Sequence, residues 1–308
     1  MAPAPITTWR IHIGAHKTAT THVQEILTLM RPQLVARGID FIDNHTVRRS
    51  GLAKALSARR ISTRLPLLRG RAVAALLAEH LDPLRAPEAP TTMVLSEEKL
   101  MGGSLHVFAD PVYPPIERII PKLASLGTWA GGGADVTFFL SIRSFDGQLP
   151  SAYVQELKFS PPIAGGFENI KPRVLARPPS WFDLVRRIRA AAPAVPLRVW
   201  RQEDYRRDPA TILAALRGRD PGPLRAMEDP YWTKSPDLAA IRAAEALPHA
   251  LSRPERRAKV LEIFRDSAGG ARFDPFAPEE KALLRAAYAR DLERIEALDP
   301  GILIRAGG

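Results

Sequence analysis

Cysteine is absent from the 308 residues, which removes disulfides, thiolate-held zinc, iron–sulfur clusters and thiol nucleophiles together. Aromatic residues are few, at 7%. They fall mostly inside apolar strand and helix patterns, which argues against a base-stacking surface for nucleic acid. No apolar run approaches the ~18 residues that a membrane helix needs, so no stable membrane insertion is expected. The start, Met1 to Trp9, has no basic flank followed by an apolar stretch and does not read as a signal peptide. A cytoplasmic location is the expectation.

What is present is a basic, foldable composition. Lys and Arg number 44 against 33 Asp and Glu, a formal charge of +11, with 45% hydrophobic residues. That balance fits a folded core, not a disordered chain. The charge implies an anionic partner, although most of the arginines are scattered through Ala- and Pro-rich stretches and read as composition. Oligomeric state is not legible. Length allows one or two domains, and nothing resembles a boundary, so one domain over 1–308 is expected.

Along the chain, strand patterns alternate with helical ones. Strands are expected at Trp9–Ile13, Ile39–Ile42, Met93–Leu95, Val136–Ile142 and Leu197–Trp200. Helices are expected from Val23, again from Pro32 to a stop at Gly38, then through much of 51–81 with Ala72–His80 strongest. Further helices are expected after Pro114-Pro115, over Leu149–Phe159, Trp181–Ala191 and Pro278–Leu298. Gly131-Gly132-Gly133 precedes a strand and reads as a turn. Ser160–Ser180, Pro-rich and without clear periodicity, reads as a substrate loop or lid over 159–180. Alternation of this kind predicts a three-layer α/β fold, P-loop-like, with a central, mainly parallel sheet.

The chemistry concentrates after the first strand, in Ile11-His-Ile-Gly-Ala-His-Lys-Thr-Ala-Thr-Thr-His-Val-Gln24. Strand, glycine, short loop, lysine and hydroxyls before a helix make an anion cradle of backbone N–H groups, with Lys17 adding charge and Thr18, Thr20 and Thr21 adding donors. A Walker A loop needs four residues between its glycines and then Gly-Lys-Ser/Thr. Here Gly14 precedes Lys17 by three positions and Ala19 follows. A second pattern lies further on. Strand Val136–Ile142 runs into Arg143, a planar fork suited to phosphate, and Ser151 stands eight positions later at an expected helix start.

Both patterns resemble the sulfotransferases that use 3′-phosphoadenosine 5′-phosphosulfate (PAPS), of the bacterial type. Members commonly read Gly-x-x-Lys-Thr-Gly-Thr-Thr in the first loop, and hold the 3′-phosphate with an arginine after a strand and a serine eight residues on. Ala19 is the departure: alanine suits that position if it is helical, and strains it if it needs positive φ. The resemblance covers Trp9 to Lys158 (the nucleotide-binding core, 9–158) and is fainter over the mostly helical 181–308.

It implies sulfuryl transfer from PAPS to a hydroxyl or amine of a small-molecule, carbohydrate or lipid acceptor, with no nucleic acid and no metal required. Lys17, Thr18, Ala19, Thr20 and Thr21 would hold the 5′ end, and Arg143 and Ser151 the 3′-phosphate. Lys17 would also stabilise the leaving group. For the base, Ser96-Glu97-Glu98 resembles the family's Ser-x-Glu element after a strand: Glu98 is the first choice, Glu97 the second, and His106 an alternative. His16 would touch the sulfuryl group or serve the architecture. Two other readings stay open: a P-loop-type kinase or nucleotide hydrolase, with Thr18 on magnesium, and a non-enzymatic polyanion-binding protein.

Overall fold

The computed structural model describes residues 5–51, 75, 79–88, 90–129, 134–163, 165–218, 235–267 and 269–306. The expected helices within 52–74 and 76–78 and the turn at 131–133 lie outside the described residues.

Six strands form one sheet among the described residues: β1 Thr8–His12, β2 Ile39–Phe41, β3 Thr92–Ser96, β4 Asp135–Ile142, β5 Leu197–Arg201 and β6 Leu303–Ile304. Their order is β2-β3-β1-β4-β5-β6, and every neighbouring pair is parallel. Parallel pairing needs crossover helices, which cover both faces of the sheet.

Alternate residues of each strand feed two separate cores. Phe138 and Leu140 of β4 pack with α3 Ile116–Trp129, α4 Phe145–Glu156, α6 Trp181–Ala191 and α11 Pro278–Leu298. Phe139, Val94 and Trp200 pack on the other face, against α1 Thr20–Val35 and α8 Pro209–Arg217. Three layers result. The remaining helices are α2 Asn44–Ser50, α5 Lys171–Ala176, α7 Gln202–Arg207, α9 Leu238–Glu245 and α10 Arg253–Arg265.

The chain leaves β1 toward β2 on one side and returns past it to β4 on the other. The carboxyl end of β1 is therefore a topological switch point, where open α/β sheets form their crevice. No helix among the described residues is long and apolar enough to cross a membrane.

Three expectations need correction. Pro32 does not begin a second helix: α1 runs through it. Its missing N–H forfeits one bond to Thr28, which the buried stripe Val23, Leu27, Met30 and Leu34 outweighs. The helix expected from Leu149 begins at Phe145, behind Ser144, because Phe145, Leu149, Ala152 and Tyr153 bury one face despite Pro150. The segment 159–180, expected to lack periodicity, is partly helical. It contains a 3₁₀ turn at Gly166–Asn169 and α5, with Phe167, Ile170 and Val174 buried in the main core.

Candidate active site

The loop between β1 and α1 is built from backbone conformations that side chains disfavour. Gly14 has φ +51°, and a Cβ there would meet Thr20 Oγ1 at 3.0 Å. Lys17 and Ala19 also have positive φ, 67° and 69°. Ala19 therefore occupies the strained alternative, in the left-handed region where glycine carries no penalty. It is the N-cap of α1, makes no side-chain capping bond, and is followed by no acidic residue in the first turn. The first intrahelical bond runs from Val23 N to Ala19 O, so the amides at the head of α1 have no intrahelical acceptor.

Beneath the loop, a hydroxyl network fixes its shape. Thr18 donates to the Ala15 carbonyl at 2.6 Å, which uses its one proton. Ser141 of β4 must then donate to Thr18 at 2.6 Å and accept from His12 Nε2 at 3.1 Å. His12 Nδ1, 2.9 Å from Ser96 Oγ, is left as the acceptor. Complete burial holds the His12 pKa down to about 3, so this imidazole is neutral near pH 7. The Thr18 hydroxyl is thus engaged in internal bracing.

Two cations stand above this base. Lys17 has no hydrogen bond or ion pair from its ammonium among the described residues. Burial, then Lys158 and Arg143, push its pKa down to about 8, with Glu98 opposing. Arg143 donates from Nη1 to the Lys17 carbonyl at 3.2 Å, and its own carbonyl accepts from Trp181 Nε1 at 2.8 Å. Burial and then Arg206 lower the Arg143 pKa. The acids near Arg143 are committed elsewhere: Glu203 accepts from Ser144 N and Tyr288 Oη, and Asp146 from Ser144 Oγ and Arg285. Trp181 itself stacks on Phe145 at 4.8 Å, fixing the backbone that carries Arg143.

The two adjacent carboxylates separate by role. Glu97 is fully buried and held bidentately by Arg48 at 2.6 and 2.7 Å, with Lys99 N on Oε1 at 3.0 Å. Both Glu97 oxygens are thus engaged by donors, which suits an anchor better than a base. Glu98 receives Arg48 only at Oε1, 3.2 Å, while its Oε2 is buried without a partner. Glu98 lies against the loop, its Cβ 3.5 Å from where a Gly14 side chain would begin.

His16 is pinned: its N–H donates to Tyr113 Oη at 3.0 Å, its Nδ1 lies 3.3 Å from the same oxygen, and its carbonyl accepts from Gln148 at 2.9 Å. Burial brings its pKa down to about 4. Since Tyr113 Oη accepts the amide, its proton goes to Nδ1, leaving Nε2 as a neutral donor. His106 Nδ1 instead accepts from Gly103 N at 3.2 Å within its own turn.

Ser151 lies seven residues into α4, not at a helix start, so its amide is spent in the helix and only the hydroxyl is available. Thr20 is buried, its hydroxyl 3.5 Å from the Ala15 carbonyl, and Thr21 is exposed. His12, His16 and His22 do not converge, and no group of His, Asp or Glu among the described residues could hold a metal ion. Sequence reasoning missed Ser141, Tyr113, Gln148, Trp181 and Arg48. Each acts through a contact at least 38 residues distant along the chain, so no local pattern announces it.

In comparisons with known proteins, no family model, no curated protein and no solved structure matches the chain.

Proposed function

We propose that the chain is a PAPS-dependent sulfotransferase. The observation that carries this reading is the pair Lys17 and Arg143: two partly buried cations in no ion pair among the described residues, joined through the Lys17 carbonyl at the switch point of a parallel sheet. A buried cation without its counter-ion is costly unless a ligand supplies the anion. A donor with a phosphosulfate at one end and a 3′-phosphate at the other supplies two. The 5′ end fits residues 17–21 at the head of α1, and the 3′-phosphate fits Arg143 and the Ser151 hydroxyl.

In this reading the acceptor oxygen or nitrogen attacks sulfur as the bond from sulfur to the bridging phosphate oxygen breaks. The departing bisphosphate gains charge at that oxygen, where the Lys17 ammonium offsets it. The acceptor proton passes to Glu98, whose Oε2 has no other partner. Neutral His16 offers Nε2–H to a sulfuryl oxygen without adding charge. Arg48 holds Glu98 beside the loop through Oε1 and is itself fixed by Glu97, so Glu97 serves as a positioning residue.

The kinase reading is weaker, because the Thr18 hydroxyl it needs for magnesium is bonded inward and β4 ends in Ile142 and is followed by Arg143, not by an aspartate. The polyanion-binding reading loses arginines to internal pairing: Arg187 is buried on Glu117 and two carbonyls, and Arg256 is buried on the end of α9.

Calorimetry with adenosine 3′,5′-bisphosphate in the presence of EDTA tests the proposal. Binding is expected without magnesium, weaker by ~1.5–3 kcal/mol for AMP, which lacks the 3′-phosphate. Equal affinity for the two nucleotides, or no binding, would exclude it.

A further inference from the structure

The cationic strip is longer than the donor requires. Gly147, Ser151 and Gln155 line one face of α4, and Lys158 continues it just past the helix end. At one end the Arg143 guanidinium packs against Gly147. About 16 Å further along, at 1.5 Å per residue, Lys158 donates to Gln155 Oε1 at 3.4 Å and lies 5.8 Å from the centre of the Phe264 ring. Lys17 joins the Arg143 end through its carbonyl, which accepts from Arg143 Nη1 at 3.2 Å, and its ammonium also feels the charge of Lys158.

The Lys158 end carries more positive charge than its own acids neutralise. Arg253, Arg257, Leu261 and Phe264 share one face of α10 at helical spacing. Arg253 sits 5.0 Å above the Phe159 ring, and Arg257 lies close enough to Lys158 to act on its charge. Arg257 is exposed and has no ion pair among the described residues. Glu156, two residues before Lys158, is bonded by Ser104 Oγ and faces Arg253. Leu261 remains 39% exposed on the same face, giving an apolar surface beside the charges.

We propose that the acceptor carries an anionic group of its own, received by Lys158 and Arg257 at the opposite end of α4 from Arg143. The inference rests on the sulfotransferase reading, which assigns Arg143 and Lys17 to the donor and leaves the Lys158 end to the acceptor. An apolar body against Leu261 and Phe264, with a carboxylate, phosphate or sulfate one helical turn away, is the chemistry that fits.

The test uses the protein saturated with adenosine 3′,5′-bisphosphate, titrated by calorimetry with phenyl phosphate and with benzyl alcohol. Phenyl phosphate is expected to bind about tenfold more tightly, and Arg257→Gln and Lys158→Gln each to remove roughly that advantage. Nucleotide affinity in Arg257→Gln is expected to stay within about twofold, since an exposed charge this far from the donor is screened. Equal binding of the two probes, no binding of either, or full phenyl phosphate affinity in Arg257→Gln overturns the proposal. If the protein binds no nucleotide, the donor reading falls instead. The same titration of the nucleotide-free protein then scores the anion site separately.

Discussion

Two corners of one sheet, the carboxyl ends of β1 and β5, hold similar residues in opposite states. At β5, Arg201 grips Asp204 bidentately at 2.7 Å through both nitrogens, Arg207 adds a contact at 3.5 Å, and Glu203 is bonded by Ser144 and Tyr288. At β1, neither Lys17 nor Arg143 forms an ion pair with a carboxylate among the described residues, although Glu98, Glu203 and Asp146 act on them from further off. A groove of about 530 Å³ lies beside the balanced corner, lined by Arg201, Asp204, Leu292 and Glu296 among others, yet its charges need nothing from a ligand. Cavity volume and electrostatic demand thus point to different places. The demand is the better guide to chemistry, because an uncompensated buried charge persists only where something else makes it worthwhile.

The sharpest way to break that contrast is to delete one cation from each corner. Lys17→Ala is expected to lower turnover on the order of 10²–10³-fold, the scale of losing one preorganised group on a developing charge. It should also raise folding stability by on the order of 1 kcal/mol, since a buried ammonium without a partner is removed. Arg201→Ala is expected to do the reverse: stability falls by about 2–3 kcal/mol as Asp204 loses its bidentate partner, while kcat holds at temperatures where the variant is folded. Urea unfolding beside sulfuryl-transfer rates reads both. If the two variants shift stability in the same direction, the corners do not differ as described.

The pH dependence of nucleotide binding sharpens the comparison with a smaller effect. Burial, with Lys158 and Arg143 adding to it, holds the Lys17 pKa at about 8, below its ordinary 10.5. The protonated form is the one that attracts phosphate. Affinity for adenosine 3′,5′-bisphosphate should therefore be full below pH 8 and decline as pH rises through it, by roughly tenfold at most. A lysine with an ordinary pKa would hold its affinity past pH 10. The same shift makes the folded protein bind fewer protons than the unfolded chain between pH 8 and 10.5, so the Lys17 contribution to stability rises across that window. Flat affinity from pH 7 to 9.5, measured by calorimetry in buffers of matched ionic strength, would return Lys17 to the state of a solvated surface lysine.

The sequence carried the parts of this arrangement that are local. The apolar run of β4, the bounds of α6 and α11, and the glycine–lysine–hydroxyl order of the loop each follow from neighbouring residues. What it did not carry is set across distance. Glu97 and Glu98 are equivalent in sequence and differ only because Arg48, 49 and 50 residues away, takes both oxygens of one and a single oxygen of the other. The two-residue β6 has no pattern of its own and exists because β5 offers it a free edge. Pro32 reads as a boundary, yet a buried face carries α1 through it, as another carries α4 through Pro150. Local propensity is a weak prior where packing can override it.

The smallest expected effect concerns the loop itself. Ala19 holds φ at 69° with a Cβ present, a conformation that costs about 1–2 kcal/mol for an L-residue. Ala19→Gly removes that strain but frees the unfolded chain, which returns about 0.5–1 kcal/mol of the gain. The net expectation is a stabilisation of roughly 0.5–1 kcal/mol in urea unfolding, with nucleotide affinity unchanged, because backbone groups and not the methyl meet the ligand. Gly14→Ala is the matched control. It places a Cβ 3.0 Å from Thr20 Oγ1 at φ +51° and should destabilise. Opposite signs for two Gly/Ala exchanges five residues apart would establish that the cradle is held in left-handed backbone. A loss of stability in Ala19→Gly would mean that Ala19 is helical in solution and that the head of α1 begins a residue earlier.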